Sequence, residues 1–173
     1  MTEPRETQLR EELVRWIPNL RAFAISLSQG AQQADDLVQD TLLKALANLD
    51  KFQAGTNMKA WLFTILRNSF YNDMRYQKYH QTSPLEDVSP SALLSVGAQE
   101  KHLEFKDVLS GMRTLVPEQR EAIVLIAAEG LSYEEAAAIC GCPVGTVKSR
   151  LSRARQRLSD YMQGEVVTTE PVG

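Results

Sequence analysis

The stretch SYEEAAAICGCPVGTVKSRLSRARQRL, residues 132–158, decides the fold of this chain. Ser132, followed three residues later by Glu135, forms a capping box that predicts a short helix over residues 133–140. Gly141 can adopt the left-handed backbone conformation that a tight turn needs. A second helix, over residues 144–162, follows Pro143. Because a short helix, a glycine turn and a second helix follow one another directly, the stretch predicts a helix-turn-helix.

The second of these helices has two contrasting faces. An apolar stripe at helical spacing should pack the helix on its own lobe; it consists of Val147, Leu151, Ala154 and Leu158. The other face is basic and holds no acid, and it carries Lys148, Arg150, Arg153, Arg155 and Arg157. Three hydroxyl residues lie between them, namely Thr146, Ser149 and Ser152. Cations pair with phosphates and hydroxyls reach phosphates or base edges, so DNA binding is favoured over a merely solvated basic helix.

The rest of the chain also repeats at helical spacing, and no segment alternates as a strand would. We expect helices over residues 8–28, 34–48 and 58–79, with Pro18 kinking or splitting the first. Gly30 should end that first helix, and Thr56 or Asn57 should cap the third.

A segment rich in proline, glycine and serine, residues 81–100, reads as a flexible linker. Helices resume near residue 101 and again at Pro117, over residues 117–129. The sequence therefore predicts an all-α protein with two small helical domains, over residues 8–80 and 101–162. Residues 163–173 should form a disordered tail.

Residues 34–41, Ala-Asp-Asp-Leu-Val-Gln-Asp-Thr, are unusually acidic. Carboxylates in the first turn of a helix meet the positive end of its dipole, which would explain Asp35 or Asp36. That role explains Gln39 and Asp40 less well. Leu37 and Val38, flanked by acids, could instead form an apolar and acidic contact patch for a basic partner helix. Both interpretations stay open at this point.

Residues 59–79 combine six aromatic residues and four cations with a single acid. Trp61 and Ile65, with Phe63 and Phe70, should face the core. Several aromatic, amide and cationic residues then remain for another surface, namely Arg67, Asn68, Tyr71, Arg75, Tyr76, Lys78 and Tyr79. Aromatic side chains beside cations suit unstacked bases. The preceding loop, residues 52–57, could complete a pocket for an extruded base.

The composition limits the remaining function classes. With 43% hydrophobic and 24% charged residues, the chain is globular rather than disordered. Its net charge of −3 means that positive charge must be local and that a partner must supply the rest of any DNA affinity. The longest apolar run, residues 122–128, is far short of a bilayer span. Because no signal peptide is recognisable, we expect a soluble cytoplasmic protein without a membrane partner.

An enzyme is the least favoured class. The chain has no glycine-rich phosphate loop and no plausible metal cluster, and His80 and His102 are isolated near the linker. Cys140 and Cys142 are separated by one residue and should remain reduced. We therefore expect no cofactor.

Together these residues resemble the extracytoplasmic-function sigma factors of RNA polymerase. Residues 35–41 look like that family's polymerase-binding helix, residues 61–68 like its minus-ten reader, and residues 145–155 like its minus-thirty-five helix. The resemblance implies three partners: core RNA polymerase, promoter DNA and an anti-sigma factor. It covers nearly everything between residues 8 and 160.

The resemblance also implies a role for individual residues. Contacts to the clamp helices of core polymerase would come from Asp36, Leu37, Gln39 and Asp40. A flipped base of the minus-ten element would be held by Phe52, Thr56, Asn57, Arg67 and Asn68. The major groove of the minus-thirty-five element would be contacted by Thr146, Lys148, Ser149, Arg150, Ser152 and Arg153.

Two further segments, residues 17–24 and 55–63, are similar to the general-stress subgroup of the family. There a small anti-sigma protein holds the factor, and a response regulator with a sigma-like domain releases it by mimicry. Two alternatives remain beside the sigma factor. One is a sigma-like mimic that only binds protein, and the other is an ordinary helix-turn-helix regulator, which would leave the acidic and aromatic helices without a task.

Overall fold

In the computed structural model, residues 2–80 and 99–164 are described, and for residues 99–105 the description covers the backbone alone. Every regular element in these two ranges is a helix, which confirms the all-α prediction. The chain divides into two compact units, the first centred on residues 2–80 and the second on residues 99–164. The predicted linker, apart from residues 99–100, and residues 165–173 of the predicted tail lie outside the described residues.

Within residues 2–80, the first unit contains four α-helices. They are α1 (Glu3–Arg15), α2 (Ile17–Ser28), α3 (Ala31–Ala47) and α4 (Met58–His80), with a short 3-10 turn at Leu49–Lys51. As predicted, the proline splits the first helix, because Pro18 lies in the first turn of α2 and the break falls at Trp16. Helix α1 begins at Glu3, earlier than expected. Pro4 fits its first turn, because proline lacks an N–H group and N–H groups in the first turn have no partner within the helix.

Helices α2, α3 and α4 pack on one another and enclose the core of this unit. The rings of Phe23 and Phe63 lie 4.9 Å apart at its centre. Around them are side chains with less than 2% exposure, among them Leu20, Leu27, Met58, Leu62 and Leu66. This corrects the prediction for α4, because Trp61 and Ile65 are only half-buried. Phe63 and Phe70 are buried as expected.

The start of α3 was predicted wrongly. Gln29, rather than Gly30, takes the left-handed conformation, with a φ of 57°, and so ends α2. Gly30 is then extended and serves as the N-cap of α3. The helix therefore begins at Ala31, three residues earlier than expected.

The described part of the second unit, residues 99–164, also contains four α-helices. They are α5 (Gln99–Met112), α6 (Pro117–Ile123), α7 (Tyr133–Cys140) and α8 (Val144–Met162). Helix α6 ends at Ile123 and continues as a π-helical turn, Val124–Ala128, where we expected a single α-helix to residue 129. Helices α5 and α6 both pack on α8. A Cβ added at Gly111 would lie only 2.8 Å from Leu158 Cδ2, so α5 and α8 approach closely because this residue is glycine.

The helix-turn-helix has the predicted boundaries. The amide nitrogen of Glu135 donates to Ser132 Oγ at 3.0 Å, and the amide nitrogen of Ser132 donates to Glu135 Oε2 at 2.9 Å. Gly141, in the turn, has a φ of +62°. Both the capping box and the left-handed glycine are therefore confirmed. Across the described ranges, none of the helices has the length and apolarity needed to span a membrane.

Candidate functional surfaces

The outward side of α8 is organised into three parallel rows. Val147, Leu151 and Ala154 are buried, which fixes the orientation of the helix. At 3.6 residues per turn, the line opposite them carries small and amide side chains; these are Gly145, Ser149, Ser152 and Gln156. One edge of this line carries Lys148 and Arg155, and the other carries Arg150 and Arg157. A row of hydroxyls and an amide between two rows of cations matches a groove floor flanked by two phosphate backbones.

Contacts within the second unit hold two of the edge cations. Lys148 Nζ lies over the ring of Tyr133, 5.2 Å from its centre. Arg150 Nη1 approaches the sulfur of Cys142 at 3.8 Å. Ser149, Ser152 and Arg153 are exposed, while Thr146 and Arg150 are half-buried. All six residues predicted for the minus-thirty-five contact thus lie on or beside the outward face of α8.

The early start of α3 changes the interpretation of its acids. Because α3 begins at Ala31, its first turn holds no acid, and Asp35 and Asp36 lie in the second turn. A capping role for them is therefore wrong, and the interpretation as a contact patch is favoured. Asp36, which accepts a 3.1 Å hydrogen bond from Gln32, is exposed together with Gln39.

Two acids of α3 are engaged in ion pairs at the surface. Asp35 Oδ1 accepts from Arg21 Nε of α2 at 2.8 Å, and Asp40 Oδ2 lies 2.7 Å from Lys44 Nζ. Each of these side chains is roughly half exposed. Exposed pairs of this kind contribute little to stability, so the carboxylates stay available to a partner cation.

The apolar part of this patch is not where we predicted it. Leu37 and Val38 are 4% and 7% exposed, because both face α2 and α4 in the core. Leu43 and Leu46 are instead 63% and 41% exposed, and they share the outward face with Asp36. Sequence reasoning missed both leucines, although their spacing of seven residues from Asp36 and from Gln39 was visible. We define the acidic patch of α3 as Asp36, Gln39, Asp40, Leu43 and Leu46.

The loop before α4 joins the core through one aromatic side chain. Phe52 is 5% exposed, and its ring lies 5.0 Å from that of Trp61. Phe52, which was predicted to contact DNA, is therefore buried and packs the loop against α4. Residues 53–57 are exposed, with Gly55 at a φ of +89°. Asn57 Oδ1 accepts from the amide nitrogen of Ala60 at 3.1 Å, so Asn57 is the cap of α4.

The loop and α4 present one continuous surface. Trp61, against which Phe52 packs, and Asn68 are seven residues apart and lie on the same outward face of α4. Asn68 is exposed. Arg67 lies at the flank of this face, and its guanidinium stacks over the ring of Tyr71 at 4.5 Å. A cation, an amide and half-buried aromatic rings beside an exposed loop suit the binding of unpaired bases.

The last turns of α4 are exposed on all sides. Tyr76 and Tyr79 are 64% and 85% exposed, and the rings of Tyr76 and His80 stack at 4.1 Å. Asp73 is the single acid of α4. Its pKa is raised by partial burial and then by the charge of Asp40, while Lys44 lowers it.

Comparison with known proteins identifies relatives of both units. The family described as Sigma-70 region 2 matches residues 13–79, and Sigma-70, region 4 matches residues 106–158. The chain is 51% identical over 156 residues to the ECF RNA polymerase sigma factor EcfG of Rhodopseudomonas palustris, covering 90% of this chain and 86% of that protein.

Two solved structures have a similar fold. The sigma factor RpoE of Bartonella quintana, in complex with the anti-sigma factor NepR, matches with a TM-score of 0.76 and 49% identity, over 92% of this chain and 99% of that chain. CnrH, in complex with the cytosolic domain of CnrY, matches with a TM-score of 0.65 and 30% identity, over 91% and 89% of the two chains.

Proposed function

The chain belongs to the sigma-70 family, in its extracytoplasmic-function branch, and on this basis we propose which of its surfaces bind RNA polymerase and which bind promoter DNA. As a sigma factor it binds core RNA polymerase and directs transcription from specific promoters. Both regions of the family are present, so a stand-alone helix-turn-helix regulator no longer accounts for the chain.

Core polymerase binds the acidic patch of α3. Asp36, Gln39 and Asp40 supply the polar contacts, which suit a basic helix on polymerase. Leu43 and Leu46 supply the apolar area at the same face. Leu37 acts from beneath, because its burial in the core holds this face of α3 in place.

The minus-ten element binds the exposed loop and α4. Thr56 and Asn57 line the loop, and Arg67 and Asn68 continue its surface along the helix. Phe52 contributes by packing the loop on Trp61. An extruded base would lie between the loop and Asn68, with Arg67 near its phosphate.

The minus-thirty-five element binds α8, and the arrangement of side chains on this helix is the main support for the proposed function. Its hydroxyl row faces the floor of the major groove, and its two cationic edges face the two phosphate backbones. A sigma-like mimic would have no use for such an arrangement. The exposed basic helix therefore supports a factor that contacts DNA itself.

An anti-sigma factor of the NepR type regulates the protein, and the genes it controls belong to a stress response. This proposal rests on the 49% identity to RpoE of the NepR complex and on the 51% identity to EcfG. Because the protein acts on RNA polymerase, we infer that it is cytoplasmic. Purified NepR from that complex should form a stable complex with this chain and abolish its transcript. If gel filtration shows no complex, regulation by a NepR-type protein is refuted.

Run-off transcription tests the function directly. Core RNA polymerase is supplied with this protein and a promoter used by the Rhodopseudomonas EcfG relative. We expect a transcript from one start site, which is lost in the Asp36→Arg/Asp40→Arg double variant. The matched control, Glu3→Arg/Glu11→Arg, reverses two exposed charges of α1 and should transcribe normally. Absence of transcript with the unaltered protein, together with absence of polymerase binding, would refute the proposal.

A further inference from the structure

The side chain of Lys44 lies between the polymerase-binding and the DNA-binding surfaces. Its Nζ is 2.7 Å from Asp40 Oδ2 on the same helix, α3. It also donates to Ser69 Oγ of α4 at 2.8 Å. Ser69 is 3% exposed and directly follows Asn68. One ammonium group thus connects a carboxylate of the acidic patch to the helix that reads the minus-ten element.

The charge of this ammonium group also acts on a second carboxylate, that of Asp73. Asp73 lies one turn beyond Ser69 on α4, on the side that flanks α3. The negative charge of Asp40 raises the pKa of Asp73, after the larger effect of partial burial, and the positive charge of Lys44 lowers it. Lys44 therefore forms an ion pair with Asp40 on α3 and lies close enough to Asp73 on α4 for its charge to act on that carboxylate.

The position of this charge matters for DNA binding. Asp73 is the only acid between Met58 and His80, on a helix whose other charged side chains are lysines and arginines. Asp73 lies five residues beyond Asn68 on the helix proposed to bind the minus-ten element, about 7.5 Å along its axis. At that distance an unneutralised carboxylate repels a phosphate bound at Asn68. Lys44 can neutralise Asp73 fully only when Asp40 has another partner.

On the basis of the proposed function, we propose that Lys44 is a positioning residue that couples polymerase binding on α3 to promoter opening on α4. A basic group of polymerase that pairs with Asp40 releases Lys44 from it. The ammonium then stays with Ser69 and pairs with Asp73. The repulsion between α4 and the DNA backbone falls as polymerase binds, and by linkage promoter DNA strengthens polymerase binding to the same degree.

The test is promoter opening by holoenzyme at saturating core polymerase, followed by permanganate reactivity of unpaired thymines. Lys44→Met keeps the aliphatic stem and removes the charge, so Asp73 loses the nearby positive charge. We expect opening to fall about 5- to 20-fold, in the lower part of the range of about 5- to 150-fold found for coupled sites, because the charges involved are partly exposed. In the double variant Lys44→Met/Asp73→Asn the unneutralised acid is gone, and opening should return to within about threefold of the unaltered protein. Simple damage to the fold would not be rescued in this way.

Arg10→Met is the matched control, because it breaks another exposed i,i+4 ion pair in the same unit, that of Arg10 with Glu6. It should open promoters normally. Normal opening by Lys44→Met, or a folded double variant that stays as defective as the single one, would overturn the inference. If the unaltered protein gives no transcript, the proposed function itself fails. If the unaltered protein and Lys44→Met both transcribe normally, the proposed function stands and only the coupling role of Lys44 is refuted.

Discussion

Replacing the cations on one edge of α8 should change how promoter binding depends on salt. Lys148 and Arg155 are seven residues apart on the same edge, which places them about 10 Å apart along the helix axis. Each cation that meets a phosphate contributes about −0.9 to the slope of log K against log[salt]. The Lys148→Gln/Arg155→Gln variant should therefore have a slope shallower by about 1.8.

This difference is large enough to measure. A change of about 1.8 in slope means that the affinity gap between the variant and the unaltered protein narrows about 12-fold between 50 and 200 mM salt. We would follow binding by fluorescence anisotropy, with holoenzyme and two DNA duplexes that differ only in the minus-thirty-five element. The affinity loss should be similar on both duplexes, because phosphate contacts carry no sequence information.

The central row of α8 should behave in the opposite way. Ser149→Ala/Ser152→Ala should leave the slope unchanged and weaken binding mainly to the duplex with the intact element. Lys106→Gln, at an exposed position of α5, should change neither quantity. If the edge variant loses affinity only on the intact element, with an unchanged slope, then the assignment of edges to phosphates is wrong.

Further predictions concern the other surfaces and the pH dependence. Leu43→Ala should weaken core polymerase binding about fivefold, with little change in melting temperature. Leu37→Ala should instead lower the free energy of unfolding by about 2–5 kcal/mol, as measured by urea titration. Ser132→Ala, which removes half of the capping box, should cost about 1 kcal/mol in the same titration. Asp73→Asn should raise the melting temperature at pH 7, because the raised pKa of Asp73 means that its charged form disfavours folding. Calorimetry should show this gain fading as the pH falls through the raised pKa, with none left below about pH 4, the pKa of an unperturbed aspartate.

The helix-turn-helix was predictable because its signals are local. A capping box needs only Ser132 and Glu135, and the turn needs only a glycine that can take a positive φ. The boundaries of α7 and α8 therefore agree with the prediction. The break in the first helix was predictable for the same reason, since Pro18 acts on its own backbone.

The errors arose where packing between helices decides the outcome. Periodicity shows that α3 has an apolar side, but Leu37 and Leu43 both fit such a pattern. Leu37 is buried and Leu43 is exposed because α2 and α4 contact one side of α3 and leave the other free. The start of α3 depended on Gln29, a residue that rarely takes the left-handed conformation it adopts here.

The distribution of charge favours an order of events in which polymerase binds first. The whole chain carries a net charge of −3, so its long-range field does not attract DNA. Pairing Asp36 and Asp40 of the acidic patch with basic groups of polymerase would neutralise two negative charges, against a net charge of −3 for the whole chain. The cations of α4 and α8 would then dominate the surfaces proposed to bind DNA. On this argument we expect the protein to bind promoters weakly without polymerase, and we expect reversal of charge in the acidic patch to raise its affinity for DNA in the absence of polymerase.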